Sequence, residues 1–313
     1  MANASNVSMS FVLLGLIDME EYKYLYCAVF LTAYVFIMLL SVTIIYTVLS
    51  EPTLHEPMYI LICNLVLNGI FGSSSFFPKL IVDLFSSSKT ISRDGCLTQA
   101  FCILTFAYFE ISTFSIMALD RYVAVCYPLQ YVTLMTNEKV LQIIVGFFVF
   151  VFTVVLIAVL LSARLPVCGT YIKNIFCDNM SFFILSCVDS SVNNLYGAVV
   201  TTVFLTVTIS MTLYSYLRIF IICFKVSKEA RQRTLHTLVT HLFSFSVFLL
   251  GVFFLFVRYR LGGASLPLSA HILLSVPCLV FPPILNPLVF GFRTKALYSK
   301  VIHKFQKMNK WVE

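Results

Sequence analysis

Two opposite charges stand side by side at Asp120 and Arg121, and Tyr122 follows them directly. They end a long apolar run, at the point where a helix would leave a membrane. Full charges beside hydrocarbon-length sequence are costly, and they are retained where they serve a function. Because Arg121 can pair with Asp120 and then exchange it for another partner, the pair indicates a charge with two states rather than a catalytic group.

A single acid, Glu110, lies inside the same apolar run, about three helical turns before Arg121. A carboxyl group at this depth must be protonated, paired or bound to a cation. An isolated buried charge tends to neutralise, which favours a protonated and hydrogen-bonded Glu110. A bound cation stays open as the alternative.

The remaining reactive residue types form no catalytic pattern. His241 and His271 fall near opposite faces of the predicted membrane, no metal-ligand spacing occurs, and no nucleophile accompanies the charged pair. A retinal Schiff base needs a lysine in the last apolar stretch, and none lies between Arg260 and Arg293. We therefore predict neither an enzyme nor a retinal protein.

The composition indicates that the membrane is the solvent of this chain. Of its 313 residues, 60% are hydrophobic and only 11% are charged, which is more apolar sequence than a soluble core needs. Crossing about 30 Å of hydrocarbon takes about 20 helical residues. The prediction is an all-α membrane protein, a seven-transmembrane helix bundle, with spans at Leu25–Leu49, Met58–Pro78, Gln99–Leu119, Val140–Ala163, Val192–Leu217, Thr237–Val257 and Pro267–Gly291.

The seven spans are predicted to form one domain over residues 1–313. Its parts are an extracellular amino terminus at 1–23, the helix bundle at 24–291, and a cytoplasmic helix and tail at 292–313. The tail places Phe292, Leu297 and Val301 among lysines, a pattern typical of a short amphipathic helix on the anionic inner leaflet. The sequence shows no internal repeat and no paired midplane charges, which disfavours a transporter.

The basic residues set the orientation, since cytoplasmic loops collect lysine and arginine. With the amino terminus outside, 13 of the 21 basic residues fall on the inner side. The three glycosylation sequons, at Asn3, Asn6 and Asn179, then lie on outer segments, where glycans are added. We predict a multi-pass plasma-membrane protein with an extracellular amino terminus, in contact with membrane lipid and not with nucleic acid.

Four of the ten cysteines lie outside the spans on the outer side: Cys96, Cys168, Cys177 and Cys187. An even number in an oxidising compartment predicts two disulfide bonds. Four cysteines allow three pairings, and the residues alone leave the choice open.

Apolar side chains recur at helical spacing in the outer half of the third, sixth and seventh spans, on faces directed at the bundle interior. Such a lining suits a small, largely apolar molecule. No acid occupies the outer half of the third span, which disfavours an amine ligand. The candidate ligand contacts are Ile103, Leu104, Ala107, Tyr108, Val252, Phe253, Phe256, Val276, Leu279 and Val280.

Several longer motifs accompany these residues. They are LHEPMY at 54–59, MALDRYVAVCYPLQY at 117–131, Ser215-Tyr216, TLHTLVTHL at 234–242 and PPILNPLVFGFR at 282–293. Together they resemble the odorant receptors of the rhodopsin-like G-protein-coupled class, from the amino terminus to the last helix. Segment 68–79 is similar to such receptors of fish.

The resemblance implies disulfide bonds between Cys96 and Cys177 and between Cys168 and Cys187. It also implies a function: a small odorant binds in the outer half of the bundle and activates an olfactory stimulatory G protein, which raises cyclic AMP. The site of action would be the cilia of olfactory sensory neurons. A rhodopsin-like receptor for a peptide or another internal ligand stays open as the alternative.

The resemblance also implies roles at the cytoplasmic side. Tyr216 and His241 would hydrogen-bond Arg121 in one of its two states. In the last span, Pro287 removes a backbone hydrogen bond and permits a bend, while Asn286 can satisfy the carbonyls that are freed there. Together with Asp120 and Tyr122, these residues form the predicted activation set.

Three positions depart from the family pattern. The segment KEARQR at 228–233 replaces an acidic end of the sixth helix, so no strong ionic latch is expected. Phe290 stands where a tyrosine is common. Gly69, preceded by Asn68, stands where the second helix can carry an acid that shares a sodium ion with Glu110, which weakens sodium as the cation alternative.

Arg260 adds a possible anion contact. The segment VRYRLGG at 257–263 resembles that of odorant receptors for water-soluble acids, and Arg260 matches their carboxylate-binding arginine. Arginine recognises a carboxylate by a planar, two-point contact. The alternative is that Arg258 and Arg260 extend to lipid headgroups.

Overall fold

The computed structural model describes residues 10–225, 228–260, 272, 276–293 and 297–302, and it gives only the course of the backbone at 228–231, 233–237, 240, 257–260 and 292–293. The helices of this part follow the apolar runs of the sequence. They are α1 (Leu14–Asp18), α2 (Lys23–Ser50), α3 (Pro57–Phe85), α4 (Arg93–Cys126), α5 (Tyr131–Leu134), α6 (Asn137–Ala163), α7 (Asn179–Leu185), α8 (Ser191–Cys223), α9 (Lys228–Arg260) and α10 (Pro277–Arg293).

Five of these helices, α2, α3, α4, α6 and α8, are long and apolar enough to cross a membrane. Within the described residues, α9 and α10 carry the shorter apolar stretches His241–Phe256 and Pro277–Gly291. Leucines on the lateral surface of the bundle, such as Leu39 and Leu160, are more than half exposed. This is expected for side chains that face lipid. The predicted all-α membrane bundle is confirmed.

Helix α4 runs through the centre of the bundle. In its most apolar window 72% of the residues are buried, against 17% in α2 and in α8. The central helix carries Glu110 as well as the pair Asp120 and Arg121. Glu110 and the charged pair therefore both lie on the most buried helix, where a change in their contacts can affect the surrounding helices.

Helix α3 extends beyond the predicted span Met58–Pro78 and continues through Pro78 to Phe85. A proline inside a helix frees carbonyl groups in the preceding turn. Here the Gln99 side chain of α4 donates to the Ser75 carbonyl at 3.2 Å. A neighbouring helix thus hydrogen-bonds the backbone of the turn before the proline, the kind of contact by which membrane helices tolerate proline.

A small β-sheet, which was not predicted from the sequence, lies at the end of the bundle that is predicted to face outside the cell. Strand β1 (Ser10–Leu13) lies between β2 (Thr90–Ser92), to which it is antiparallel, and β3 (Tyr171–Ile172), to which it is parallel. The side chains of Phe11 and Leu13 are fully buried, so the amino-terminal segment packs onto the bundle. The sequons Asn3 and Asn6 lie outside the described residues.

Two disulfide bonds join the outer segments, in the pairing that the resemblance implies. Cys96 in α4 is bonded to Cys177, and Cys168 is bonded to Cys187, with Cα atoms 5.2 Å apart in each case. The backbone N–H of Cys177 also donates to the Gln99 side chain at 2.8 Å. The loop before α7 is thereby fixed to the outer end of α4.

The described part of the carboxyl tail, residues 297–302, is helical. Leu297 is fully buried, whereas Ile302 is exposed, in keeping with an amphipathic helix. The Lys300 ammonium group lies 2.9 Å from the Glu51 carboxylate. The tail thus contacts the segment between α2 and α3, and its remaining residues lie outside the described part.

Candidate functional site

A cavity of about 170 Å³ lies in the outer half of the bundle. Its wall is formed by α4, α6, α8 and α9 and by the residues from Phe176 to Phe183. The wall is mostly apolar, and an apolar cavity of about 150 Å³ can hold a benzene molecule. A small organic molecule is therefore the size of ligand that this space accepts.

Six of the candidate ligand contacts line this cavity. They are Ile103, Leu104, Ala107 and Tyr108 on α4, with Val252 and Phe256 on α9. Spacings of three and four residues place Ile103 with Ala107, Leu104 with Tyr108, and Val252 with Phe256 on the sides of α4 and α9 that face the cavity. The helical pattern thus identified the inward faces of two of the four helices.

Phe253 was predicted to face the bundle interior, and this is wrong. Its side chain is 60% exposed, because it lies about 100° around the helix from Val252. Leu279 is buried in the hydrophobic core of the bundle, and the partly buried Val276 and Val280 pack against that core. None of these three residues lines the cavity. The physical reason is that the cavity opens on the side of α4 that faces α6 and α8, away from α10.

The Arg260 side chain lies outside the described part of the structure, although the backbone of α9 continues to this residue.

Most residues of the wall were not predicted as ligand contacts. Helix α8 contributes Gly197, Val200, Thr201 and Phe204, and α6 contributes Val154, Val155 and Ala158. The spacing in α8 follows the same helical rule that was applied to α4, so this face could have been found. The contribution of Phe176, Asp178, Asn179, Met180 and Phe183 could not, because it depends on how an irregular loop folds back.

Polar atoms are few in the wall, and several of them hydrogen-bond one another or the backbone. The hydroxyl oxygens of Tyr108 and Thr201 lie 2.6 Å apart and link α4 to α8. The Tyr108 ring also contacts the Phe204 ring, with centroids 4.8 Å apart. The Tyr196 hydroxyl donates to the Val154 carbonyl at 3.0 Å. These contacts brace α4, α6 and α8 around the cavity.

Glu110 lies below the cavity and joins three helices. It is fully buried. Asn68 of α3 donates to one carboxyl oxygen at 2.7 Å, and Asn286 of α10 donates to the other at 2.5 Å. Close approach of α3 and α4 depends on Gly72, because a Cβ there would overlap the Phe106 ring.

At the inner end of α4, the fully buried Asp120 holds two partners. Arg121 donates to its Oδ2 through Nη2 at 2.5 Å and Nε at 3.0 Å, while Tyr131 donates to its Oδ1 at 2.8 Å. Burial and the Asp120 carboxylate raise the pKa of the Tyr131 hydroxyl, so this group remains a donor at neutral pH. Tyr131 of α5 is a contact of the charged pair that was not predicted.

Tyr216 and His241 are both buried near this end of the bundle. The His241 ring packs against the Phe290 ring, with centroids 4.9 Å apart. Among the described hydrogen bonds, none joins either residue to Arg121. Tyr122 packs its ring against Tyr214, with centroids 5.6 Å apart. The structure therefore holds Arg121 on Asp120.

Comparison with known proteins gives a consistent result. The sequence profile of the olfactory receptor family matches residues 27–308. Human olfactory receptor 52B6 is 34% identical over 269 residues, covering 85% of this chain and 80% of the relative. Human olfactory receptor 52N5 is 32% identical, with 95% and 93% covered, and human olfactory receptor 51L1 is 32% identical, with 97% and 96% covered. The chain belongs to the olfactory receptor family.

Proposed function

We propose that a small odorant binds in the outer cavity and that its binding releases Arg121 from Asp120 at the cytoplasmic side. One observation carries this proposal: a single central helix, α4, lines the cavity at Tyr108 and carries the charged pair near its inner end. The distance along the helix from residue 108 to residue 121 is about 20 Å. A change in how α4 packs against its neighbours can therefore alter both the cavity and the charged pair.

The structure supports the resting side of this mechanism. Arg121 is paired with Asp120, and Tyr131 holds the second oxygen of the same carboxylate. An odorant that binds one packing of α9 better than the other shifts the population toward that packing. Movement of α9, which carries His241, then gives Arg121 new partners: Tyr216, His241 or the G protein itself.

The family resemblance supports finer assignments, which we include in the proposal. The receptor acts through a stimulatory olfactory G protein that raises cyclic AMP, with its amino terminus outside the cell, in the plasma membrane of olfactory sensory cilia. Basic residues of the inner loops and tail would contact acidic lipid or the acidic surface of the G protein.

A cyclic AMP screen tests this function directly. Acids, alcohols, aldehydes and amines of six to eight carbons are applied to cells that carry the receptor at their surface. We expect at least one class to raise cyclic AMP above the level in cells without the receptor. Uptake of a compound into the cells without any cyclic AMP response would instead support a transporter and overturn the proposal.

We also propose that Glu110 is protonated and hydrogen-bonded rather than bound to sodium. Its complete burial disfavours a charged carboxylate. On α3, Asn68 and Gly69 stand where a second acid would share a cation with Glu110, and the Asn68 and Asn286 amides hydrogen-bond its two oxygens. Burial without a second acid at this position of α3 therefore favours a protonated, hydrogen-bonded carboxyl group over a sodium ion.

Substitution of Glu110 tests its role as a link between helices. Glu110→Leu leaves two buried amide groups without acceptors, at a cost of about 1–3 kcal/mol each, and we expect a severalfold loss of surface receptor. Glu110→Gln keeps one acceptor oxygen and should lose less. Replacing extracellular sodium with choline should leave the wild-type odorant response unchanged. A tenfold shift that disappears in Glu110→Gln would show that sodium binds there.

A carboxylate ligand at Arg260 is the second candidate. Residue 260 lies one helical turn beyond Phe256, a residue of the cavity wall, on the continuous backbone of α9. We expect Arg260→Ala to weaken responses to carboxylates selectively, and Arg258→Ala serves as the matched control. Equal loss of neutral and acidic odorant responses would contradict a carboxylate contact.

A further inference from the structure

One polar atom of the cavity wall has no partner. The Oδ1 atom of Asn179 is buried, and the described residues supply no hydrogen-bond donor to it. Asn179 begins helix α7 and lines the cavity. Buried polar atoms in native proteins are nearly always hydrogen-bonded, so this acceptor is a place where a ligand can supply the missing donor.

The neighbouring wall offers acceptors more than donors. Asp178 caps the start of α7, and its carboxylate accepts from the Ser181 backbone N–H at 2.8 Å and from the Ser181 hydroxyl at 2.9 Å. Tyr108 and Thr201 hydrogen-bond each other across the cavity. Among the described lining residues there is no lysine or arginine. A carboxylate in this space would face an amide oxygen and an acid without a compensating cation.

We propose that the cavity selects a neutral odorant with a hydroxyl group, an alcohol or a phenol, which donates its hydrogen bond to Asn179. This inference rests on the proposed odorant-binding function and narrows its ligand class. A neutral amide oxygen offsets the desolvation of one neutral donor, and the Asp178 carboxylate, which would attract a cation, already accepts the Ser181 N–H and hydroxyl groups. The rest of the ligand is apolar and small, since most of the wall is apolar.

Isomeric odorants separate the hydroxyl group from size and shape. Hexan-1-ol and 1-methoxypentane have the same atoms, and so have benzyl alcohol and anisole, but only the alcohols carry an O–H donor. Hexanoate, benzoate and hexan-1-amine complete the set. In cells that carry the wild-type receptor, we expect at least one alcohol to raise cyclic AMP at a concentration about tenfold lower than its ether isomer.

Variants of Asn179 locate the contact. Asn179→Leu should raise the half-maximal concentration of the alcohol about tenfold and leave that of the ether nearly unchanged. Asn179→Asp also destroys the sequon but keeps an acceptor oxygen, and it should retain the alcohol response within about threefold. Asn194→Leu, at an exposed position of α8 outside the cavity, should behave as wild type.

Several outcomes would overturn the inference. Equal potency of an alcohol and its ether isomer would show that the receptor does not recognise the hydroxyl donor, although it still responds to odorants. Stronger responses to hexanoate or benzoate would favour the Arg260 candidate, and stronger responses to hexan-1-amine would favour a cationic ligand. Silence toward all seven compounds, with a response to another compound of the broader screen, would reject the hydroxyl contact and leave the odorant function standing.

Discussion

Cells that carry Arg121→Ala are expected to lose odorant-stimulated cyclic AMP while they keep a normal amount of receptor at the surface. The guanidinium group donates twice to Asp120 in the resting structure, and the proposed active state transfers it to the G protein or to partners on α8 and α9. Alanine removes both possibilities. Because Arg121 is partly exposed at the end of α4, its loss does not open a hole in the core.

Arg218→Ala is the matched control for this experiment, since Arg218 is an exposed arginine near the inner end of α8. It should signal nearly as wild type. Surface receptor is measured by antibody binding to intact cells, and cyclic AMP is measured in the same cells. An undiminished response of Arg121→Ala would show that the charged pair is not the output of this receptor.

Cys177→Ser is expected to reduce surface receptor at least tenfold and to abolish the odorant response. The Cys96–Cys177 bond ties the loop that supplies Phe176 and Asn179 to the central helix. Loss of a native disulfide bond typically costs about 2–5 kcal/mol, which is a large share of the stability of most domains. The cavity wall would then lose a defined position even in receptor molecules that reach the surface.

Cys63→Ser controls for the chemical change alone, because Cys63 is a free, partly buried cysteine of α3. It should reach the surface in near-normal amounts. Non-reducing gel electrophoresis after thiol labelling reports whether the outer bonds are intact. Wild-type surface levels and odorant potency in Cys177→Ser would contradict the structural role given to this bond.

The sequence was sufficient for features that depend on length and local spacing. Apolar runs located the membrane helices, and the end of one run placed Asp120 and Arg121 at its boundary. Membership of the olfactory receptor family confirms a receptor and not an enzyme. The i, i+3 and i+4 rule also identified the α4 face from Ile103 to Tyr108, which lines the cavity.

Features that depend on distant contacts were not predictable in this way. Glu110 is 42 residues from Asn68 and 176 residues from Asn286 along the chain, so no local pattern reveals that the three meet. The prediction for Phe253 failed for a related reason. Phe253 follows Val252 directly in the chain, but its side chain points about 100° away around the helix axis. Only the packing of α9 decides which of the two faces inward.

The position of β1 in the outer sheet has a consequence for the order of events during synthesis. Val12 pairs with Tyr171, which lies 159 residues later in the chain. Strand β1 is therefore synthesised well before its second partner strand, β3. At about 5–20 residues per second, the wait lasts about 8–32 seconds. During that interval the sheet cannot be completed, and β2 is the only one of its two partner strands with which β1 can pair.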